Sequence, residues 1–247
     1  MKRSEFRHKV QNTSLGFVAG YVDTLGFVAL FGLFTGHVTG NFVLIGAEMA
    51  HPQGGPLLLK FLAFPAFIIG VAVARLMIGA LVRRGLHALV SAYWLQLLLL
   101  IAFMVVGCMA SPIGEVPTVM SIAAGCVGAM AMGAHSGSGR LLLSHLAPTS
   151  AMTGNVTQLI IDAVDVLTGT ANDTVRQRCV KFLWPVLAFA VGAVGAAFAF
   201  QYAGWGAMFL PIAVLSYLIF LERGSVRKLH HTQQQQRRHQ QRRRHDD

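Results

Sequence analysis

Apolar stretches of about twenty residues recur along this chain, and no other feature limits its fold as tightly. A helix rises about 1.5 Å per residue, so some 20 residues cross roughly 30 Å of hydrocarbon. Six stretches reach that length, at about 14 to 34, 61 to 82, 89 to 110, 118 to 143, 182 to 201 and 204 to 221. With 54% hydrophobic and 12% charged residues, the chain is too apolar for an ordinary soluble domain, and a lipid bilayer is its expected partner. Most of the charge lies at the ends: Lys2, Arg3, Arg7 and Lys9 precede the first apolar run, and a Gln/Arg/His tail follows from about Arg223. The formal net charge of +10 therefore describes the termini more than the body. Basic residues beside apolar spans are expected to face the cytoplasm, and nucleic acid is not an expected partner.

The three cysteines, Cys108, Cys126 and Cys179, are odd in number and widely spaced. They suggest neither a disulfide framework nor a zinc site, and no metal or cofactor is expected. The first apolar run has a basic start like a signal peptide, but it is long, carries Asp23 and lacks a clear small-x-small cleavage site. It reads as the first span.

Two further apolar segments, about 35 to 50 and 149 to 168, each begin with polar or glycine residues and share one motif. Thr39-Gly40-Asn41 opens the first helical part and Thr153-Gly154-Asn155 the second. If both segments crossed, eight spans would put Arg83 and Arg84 outside and the poorly charged "HPQGGP" loop inside, against the positive-inside rule. If both dip in and return on the same side, the N-terminal basics, Arg83, Arg84, "VRQRCVK" and the tail all face the cytoplasm. Six spans then divide into halves of three, and an odd number inverts the second half relative to the first. The expectation is an all-α membrane protein of about six transmembrane helices in two inverted three-helix repeats, about 14 to 110 and 118 to 221. Each repeat holds a short re-entrant segment starting at Thr-Gly-Asn. Residues 1–13 form a basic cytoplasmic N-terminus, 14–221 the membrane domain, and 222–247 a disordered tail able to touch anionic lipid.

These residues carry a resemblance. "GYVDTLGF" at 20 to 27, the "TGHVTGN" that follows, and the second "TGN" after "LAPTSAM" resemble the YoaK-like family of bacterial inner-membrane proteins, a domain of unknown function. The resemblance covers roughly residues 14 to 221. It implies a multi-pass inner-membrane protein and supplies no established reaction. The family's second half usually has Gln-Asn where this chain reads "GAHSG", so His135 and Ser136 stand opposite Val22 and Asp23.

Asp23 falls near the middle of the first span, where an unpaired carboxylate costs on the order of 2.5 to 3.5 kcal/mol on insertion scales, so it should face a partner or a cavity. His135 holds nearly the matching place in the other half, and the two are expected to form a proton-exchanging pair. Thr39 or Asn41, and Thr153 or Asn155, are expected to cap the re-entrant helices, with Gly40 and Gly154 easing the turn. The helix N-termini would then face each other across the pseudo-twofold. Gly16, Gly20 and the run "VGAVGAAFAF" read as close helix packing, and Glu48, Asp162 and Asp165 as interfacial.

The substrate or ion path is thus expected at Asp23, Thr39, Gly40, Asn41, His135, Ser136, Thr153, Gly154 and Asn155. An intramembrane serine protease is disfavoured because His135 and Ser136 are helix neighbours diverging by about 100 degrees. The expected function is a small-solute or ion transporter or channel that proton coupling could drive, and not an enzyme; the alternative is a non-transporting membrane scaffold or sensor. Either role is compatible with a homo-oligomer.

Overall fold

The computed structural model describes residues 2–50 and 56–224. Among them every regular element is helical: α1 (Lys2–Ala29), α2 (Gly40–Met49), α3 (Leu57–Arg83), α4 (Ala88–Ala110), α5 (Val119–Leu142), α6 (Met152–Leu167) and α7 (Asp173–Ala203). A 3-10 turn, Gly204–Met208, joins α7 to a last helical stretch at 209–224, called α8 here. Among the described residues four stretches are long and apolar enough to cross a membrane: Leu57–Arg83, Ala88–Ala110, Val119–Leu142 and the continuous run Asp173–Gly224 that holds both α7 and α8. The tail beyond residue 224, with its expected lipid contact, and most of the "HPQGGP" loop lie outside the described residues.

The boundaries follow local chemistry. Thr118 and Ser121 form a reciprocal capping box that starts α5, and the Asn172 side chain accepts the Val175 N–H to start α7. The first helix runs earlier and stops sooner than its hydropathy suggests, from Lys2 to Ala29, because the chain turns at Phe31 and Gly32, both at positive φ (53° and 70°). α2 and α6 contain 10 and 16 residues, about 15 and 24 Å of helix. Neither reaches the length of a full crossing.

Packing is organised by two close pairs, α1 with α7 and α3 with α5. Both pairs are parallel, as the register shows: Gly16 faces Pro185 and Gly20 faces Phe189, while Gly125 faces Leu59 and Gly133 faces Phe67. The contacts are reciprocal. A methyl group on Gly20 would strike the Phe189 carbonyl, and one on Gly192 the Phe17 carbonyl; in the other pair Gly133 meets the Phe67 carbonyl and Gly70 the Met130 carbonyl. Small residues thus let backbones touch, as expected of helices associating in lipid. α4 lies against α5, α2 against α3, and α6 against α7.

The far end of α7 is sealed by side chains. Trp205 in the 3-10 turn packs edge-on to Phe103 at 5.1 Å and Phe200 at 5.9 Å, over the bare backbone of Gly107. The Tyr21 hydroxyl donates to the Ala207 carbonyl at 2.9 Å, tying α1 to the same turn.

Substituting Gly20→Ala or Gly133→Ala should force these helices apart, costing about 1–3 kcal/mol by overpacking. Gly154→Ala and Gly195→Ala, where a methyl meets nothing within 4 Å, should be neutral or slightly stabilising. Melting temperature and monodisperse yield in detergent check this; equal behaviour of all four variants would refute the role given to the close pairs.

Candidate functional site

The two Thr-Gly-Asn motifs do the same job by the same atoms, and that job is not capping. Thr39, the residue before α2, makes no side-chain cap bond, and neither does Ala151 before α6. Instead Asn41 reaches back seven residues: its Nδ2 donates to the Phe34 carbonyl at 2.8 Å, and its Oδ1 accepts the Phe34 N–H at 2.9 Å. Asn155 likewise donates to the Pro148 carbonyl at 2.8 Å, seven residues back. Proline has no N–H, so the second bond of the first copy has no counterpart in the second. Both asparagines are buried, whereas Thr39, Thr153 and Gly154 are exposed. Gly40 and Gly154 sit within their helices at ordinary φ, and the tight turn expected of them is made instead by Phe31 and Gly32.

Seven residues beyond each asparagine stands an acid with a base on the next helix. Glu48 pairs with Lys60 of α3, and Asp162 with Arg178 of α7. Lys60 is buried and also donates to the Phe31 carbonyl at 2.9 Å, holding the turn that ends α1. Asp162, fully buried, receives the Arg178 guanidinium at 2.6 and 2.9 Å and the Gln158 amide at 2.8 Å. These carboxylates brace α2 and α6 rather than sitting free at the interface. Lys60 was missed in the sequence because it borders an apolar run, and Arg178 was read only as part of the basic connection "VRQRCVK". The shared spacing from Asn to acid was available as a signal.

Asp23 is buried and accepts the Gly36 N–H at 2.7 Å, with the Thr35 hydroxyl and His37 N–H at 3.4 Å. His37 Nδ1 lies 2.5 Å from the other carboxylate oxygen. His37 is the more open partner, its side chain 34% exposed against 5% for Asp23, and its ring meets Phe189 edge-on at 5.6 Å. His135 is not the partner of Asp23. Its Nε2 is 2.6 Å from the Thr149 hydroxyl, deep in the second half. The expected pair is therefore replaced by two separate ones, each joining a first helix of a half to the connection before the short helix. Sequence spacing could not separate these options, because His37 lies in that connection and His135 in a helix. The N-termini of α2 and α6 are likewise not packed together, since α2 lies on α3 and α6 on α7.

Beside His135 and Thr149 a cavity of about 250 Å³ opens between α1, α5 and the 143–151 connection. Ser136, Arg140, Ser144, Thr149, Ser150 and Asn12 give it hydroxyl, amide and guanidinium groups. Asn12 also locks the cavity's wall: its Nδ2 donates to the Lys181 carbonyl at 2.9 Å, and its Oδ1 accepts the Ala147 N–H at 3.2 Å. The cavity thus contains donors suited to an anionic or polar guest. Among the described residues no three His, Cys, Asp or Glu side chains come together in a way that would hold a metal ion.

A family model described as a protein of unknown function, DUF1275, matches residues 12–221, including both Thr-Gly-Asn motifs. The chain belongs to the DUF1275 family. It is also 36% identical over 72 residues to the UPF0700 transmembrane protein YoaK of Bacillus subtilis (strain 168). That match covers 28% of this chain and 32% of YoaK, so the chain spans about a third of its relative's length in the comparison. No solved structure is significantly similar. Together with its four apolar helices, the family makes this DUF1275 chain a multi-pass membrane protein.

The unequal bonding of the two asparagines gives a direct test. Asn41→Ala strands both the N–H and the carbonyl of Phe34, each at about 1–3 kcal/mol when buried, whereas Asn155→Ala strands only a carbonyl. Asn41→Ala should therefore lower the melting temperature more, and should make the 30–39 connection more sensitive to limited proteolysis. Equal or reversed losses would restore the capping role.

Proposed function

We propose that this DUF1275 protein is an inner-membrane transporter that carries a small anionic or polar solute through a central site formed by two inverted repeats. The carrying observation is the polar cavity of about 250 Å³ lined by Ser136, Arg140, Thr149 and Ser150. Six spans are the reading the charge distribution supports, with α1 as the first and α2 and α6 as re-entrant helices. The repeated Asn-to-backbone and acid-to-base bonds, and the reciprocal glycine pairs, support an internal repeat. The basic residues near the chain ends and at Arg83 and Arg84 favour cytoplasmic termini, which makes the cavity cytoplasm-facing. The Trp205 seal at the opposite end of α7 fits the same inward-open state.

In this mechanism Arg140 supplies charge recognition, with Ser136 and Thr149 hydroxyls orienting the guest. The His37 imidazole supplies the proton-sensitive element in the other half, where its Nδ1 faces an Asp23 carboxylate oxygen at 2.5 Å. Coupling requires only that protonation of His37 favours one arrangement of the 30–39 connection over another. No chemical step on the solute is involved.

A scaffold role is the second reading, and one observation favours it: among the described residues the Asp23 carboxylate bonds only to residues 35–37, as a purely structural clasp would. Uptake into proteoliposomes, screened over small organic and inorganic anions with a proton gradient on and off, separates the two. Arg140→Gln should reduce anion uptake about 10- to 100-fold, the equivalent of one lost charge-assisted hydrogen bond. Asp23→Asn should retain abundance and lose the gradient dependence. No uptake of any screened anion by the wild type, or unchanged uptake and gradient dependence in both variants, would leave the scaffold reading standing.

A further inference from the structure

The outer face where α1 meets α7 carries two hollows that share one residue. The first, of about 540 Å³, is lined by His8, Lys9, His145 and Lys181, with Glu5 as the single acid and Trp184 at its edge. The second, of about 440 Å³, is almost wholly apolar and runs along Trp184, Phe17, Leu187, Val191, Leu210 and Val214. A cationic hollow therefore continues into an apolar groove at Trp184. From Lys181 to Val191 the helix rises about 15 Å, half the hydrocarbon thickness of a bilayer, or one leaflet.

The basic side chains are crowded. The His8 and His145 rings lie tilted by 58° with centroids 4.6 Å apart, and Lys9 Nζ sits 4.1 Å from the Trp184 ring centroid. No acid forms a salt bridge with Lys9 or Lys181 among the described residues. Partial burial, and then the neighbouring charges of His8 and Lys181, holds the His145 imidazole below its ordinary value. An anion placed there would relieve that repulsion. A free anion would use only the first hollow and leave the groove unexplained, whereas a molecule with an anionic head and a hydrocarbon chain fills both.

We infer that the α1/α7 face is a binding site for one anionic phospholipid, its phosphate held by His8, Lys9, His145 and Lys181 and one acyl chain lying in the groove below Trp184. This site adjoins the Ser136–Arg140 cavity, sharing Asn12 and Leu146 with it, but its four basic side chains take no part in that cavity's lining, and it does not rest on the transport reading. A cationic pocket at the membrane surface is the chemistry that selects anionic headgroups.

The test uses the full-length protein in nanodiscs of phosphatidylcholine with and without phosphatidylglycerol, with bound lipid counted by native mass spectrometry after mild detergent extraction. The wild type should retain phosphatidylglycerol over phosphatidylcholine by tenfold or more. Lys9→Gln with Lys181→Gln should abolish that preference, while Arg83→Gln with Arg84→Gln, equal in charge removed, should keep it. Val191→Trp, at a position 64% exposed, should fill the groove and displace lipid of either kind without disturbing the core. Glycerol phosphate and inorganic phosphate, tested as competitors, should not displace the lipid at millimolar concentration. Equal retention of the two lipids by the wild type, an unchanged preference in the Lys9/Lys181 variant, undiminished retention in Val191→Trp, or displacement by free phosphate would each overturn the lipid site.

Discussion

Helices in a bilayer gain little by hiding apolar surface from lipid, so what joins α1 to α7 and α3 to α5 is how closely their backbones can approach. The four reciprocal glycines set that distance. At each, the missing side chain is replaced by a carbonyl of the opposite helix, and a Cβ would collide with backbone rather than with a movable side chain. Dispersion falls steeply with even a small gap, so the contact is worth most when the two surfaces touch. Once the pairs are closed, α4 is laid on α5, and the Trp205 turn is pressed over Gly107. The position of Asn12 beneath Lys181 also depends on that register, and with it the wall of the polar cavity.

Close pairs alone would leave the connections without support. Residues 30–39 and 143–151 are irregular backbone, and where water is excluded such backbone persists only if its polar groups are satisfied. Asn41, Asp23 and Lys60 serve the first connection by binding Phe34, Gly36 and the Phe31 carbonyl. Asn155, Asn12 and His135 serve the second by binding Pro148, Ala147 and Thr149. The same demand is met in both halves, but with a carboxylate and an ammonium in one and neutral groups in the other.

Much of this was legible in the chain. Span length and the repeated Thr-Gly-Asn gave the helical architecture because both depend on local sequence and on the thickness of the bilayer. The glycine pattern was legible as packing, though not its reciprocity, since that requires knowing which helix is the neighbour. Partner choice was the part that hydropathy could not decide. His37 was read as part of a motif, and the pairing was assigned to His135 because it occupied the matching place in the other half. The fold gave Asp23 a partner 14 residues away, on the adjoining connection. The pairings of Lys60 and Arg178 went unread for a related reason: Lys60 borders a long apolar run without interrupting it, Arg178 was read with its basic neighbours only for topology, and the acid of each is named only by three-dimensional contact.

The divergence between the halves bears on the transport reading more than their likeness does. If both connections were only structural, their polar groups would be expected to differ no more than their backbones do, which is at Pro148, where one N–H is missing. Instead Asp23 stands opposite Ser136, and the position of His37 in the first motif is Ala151 in the second. The first half thereby keeps an Asp23–His37 pair with no place in the lining of the polar cavity, while the second combines small hydroxyls with Arg140 around that space. A carboxylate near Ser136 would neutralise Arg140 and compete with an anionic guest, so its replacement there by a hydroxyl is what an anion site requires. On the transport reading proposed above, a proton-linked pair in one half and a recognition site in the other need no direct contact. Both are attached to connections that must rearrange together if the α1/α7 and α3/α5 pairs rock as rigid bodies.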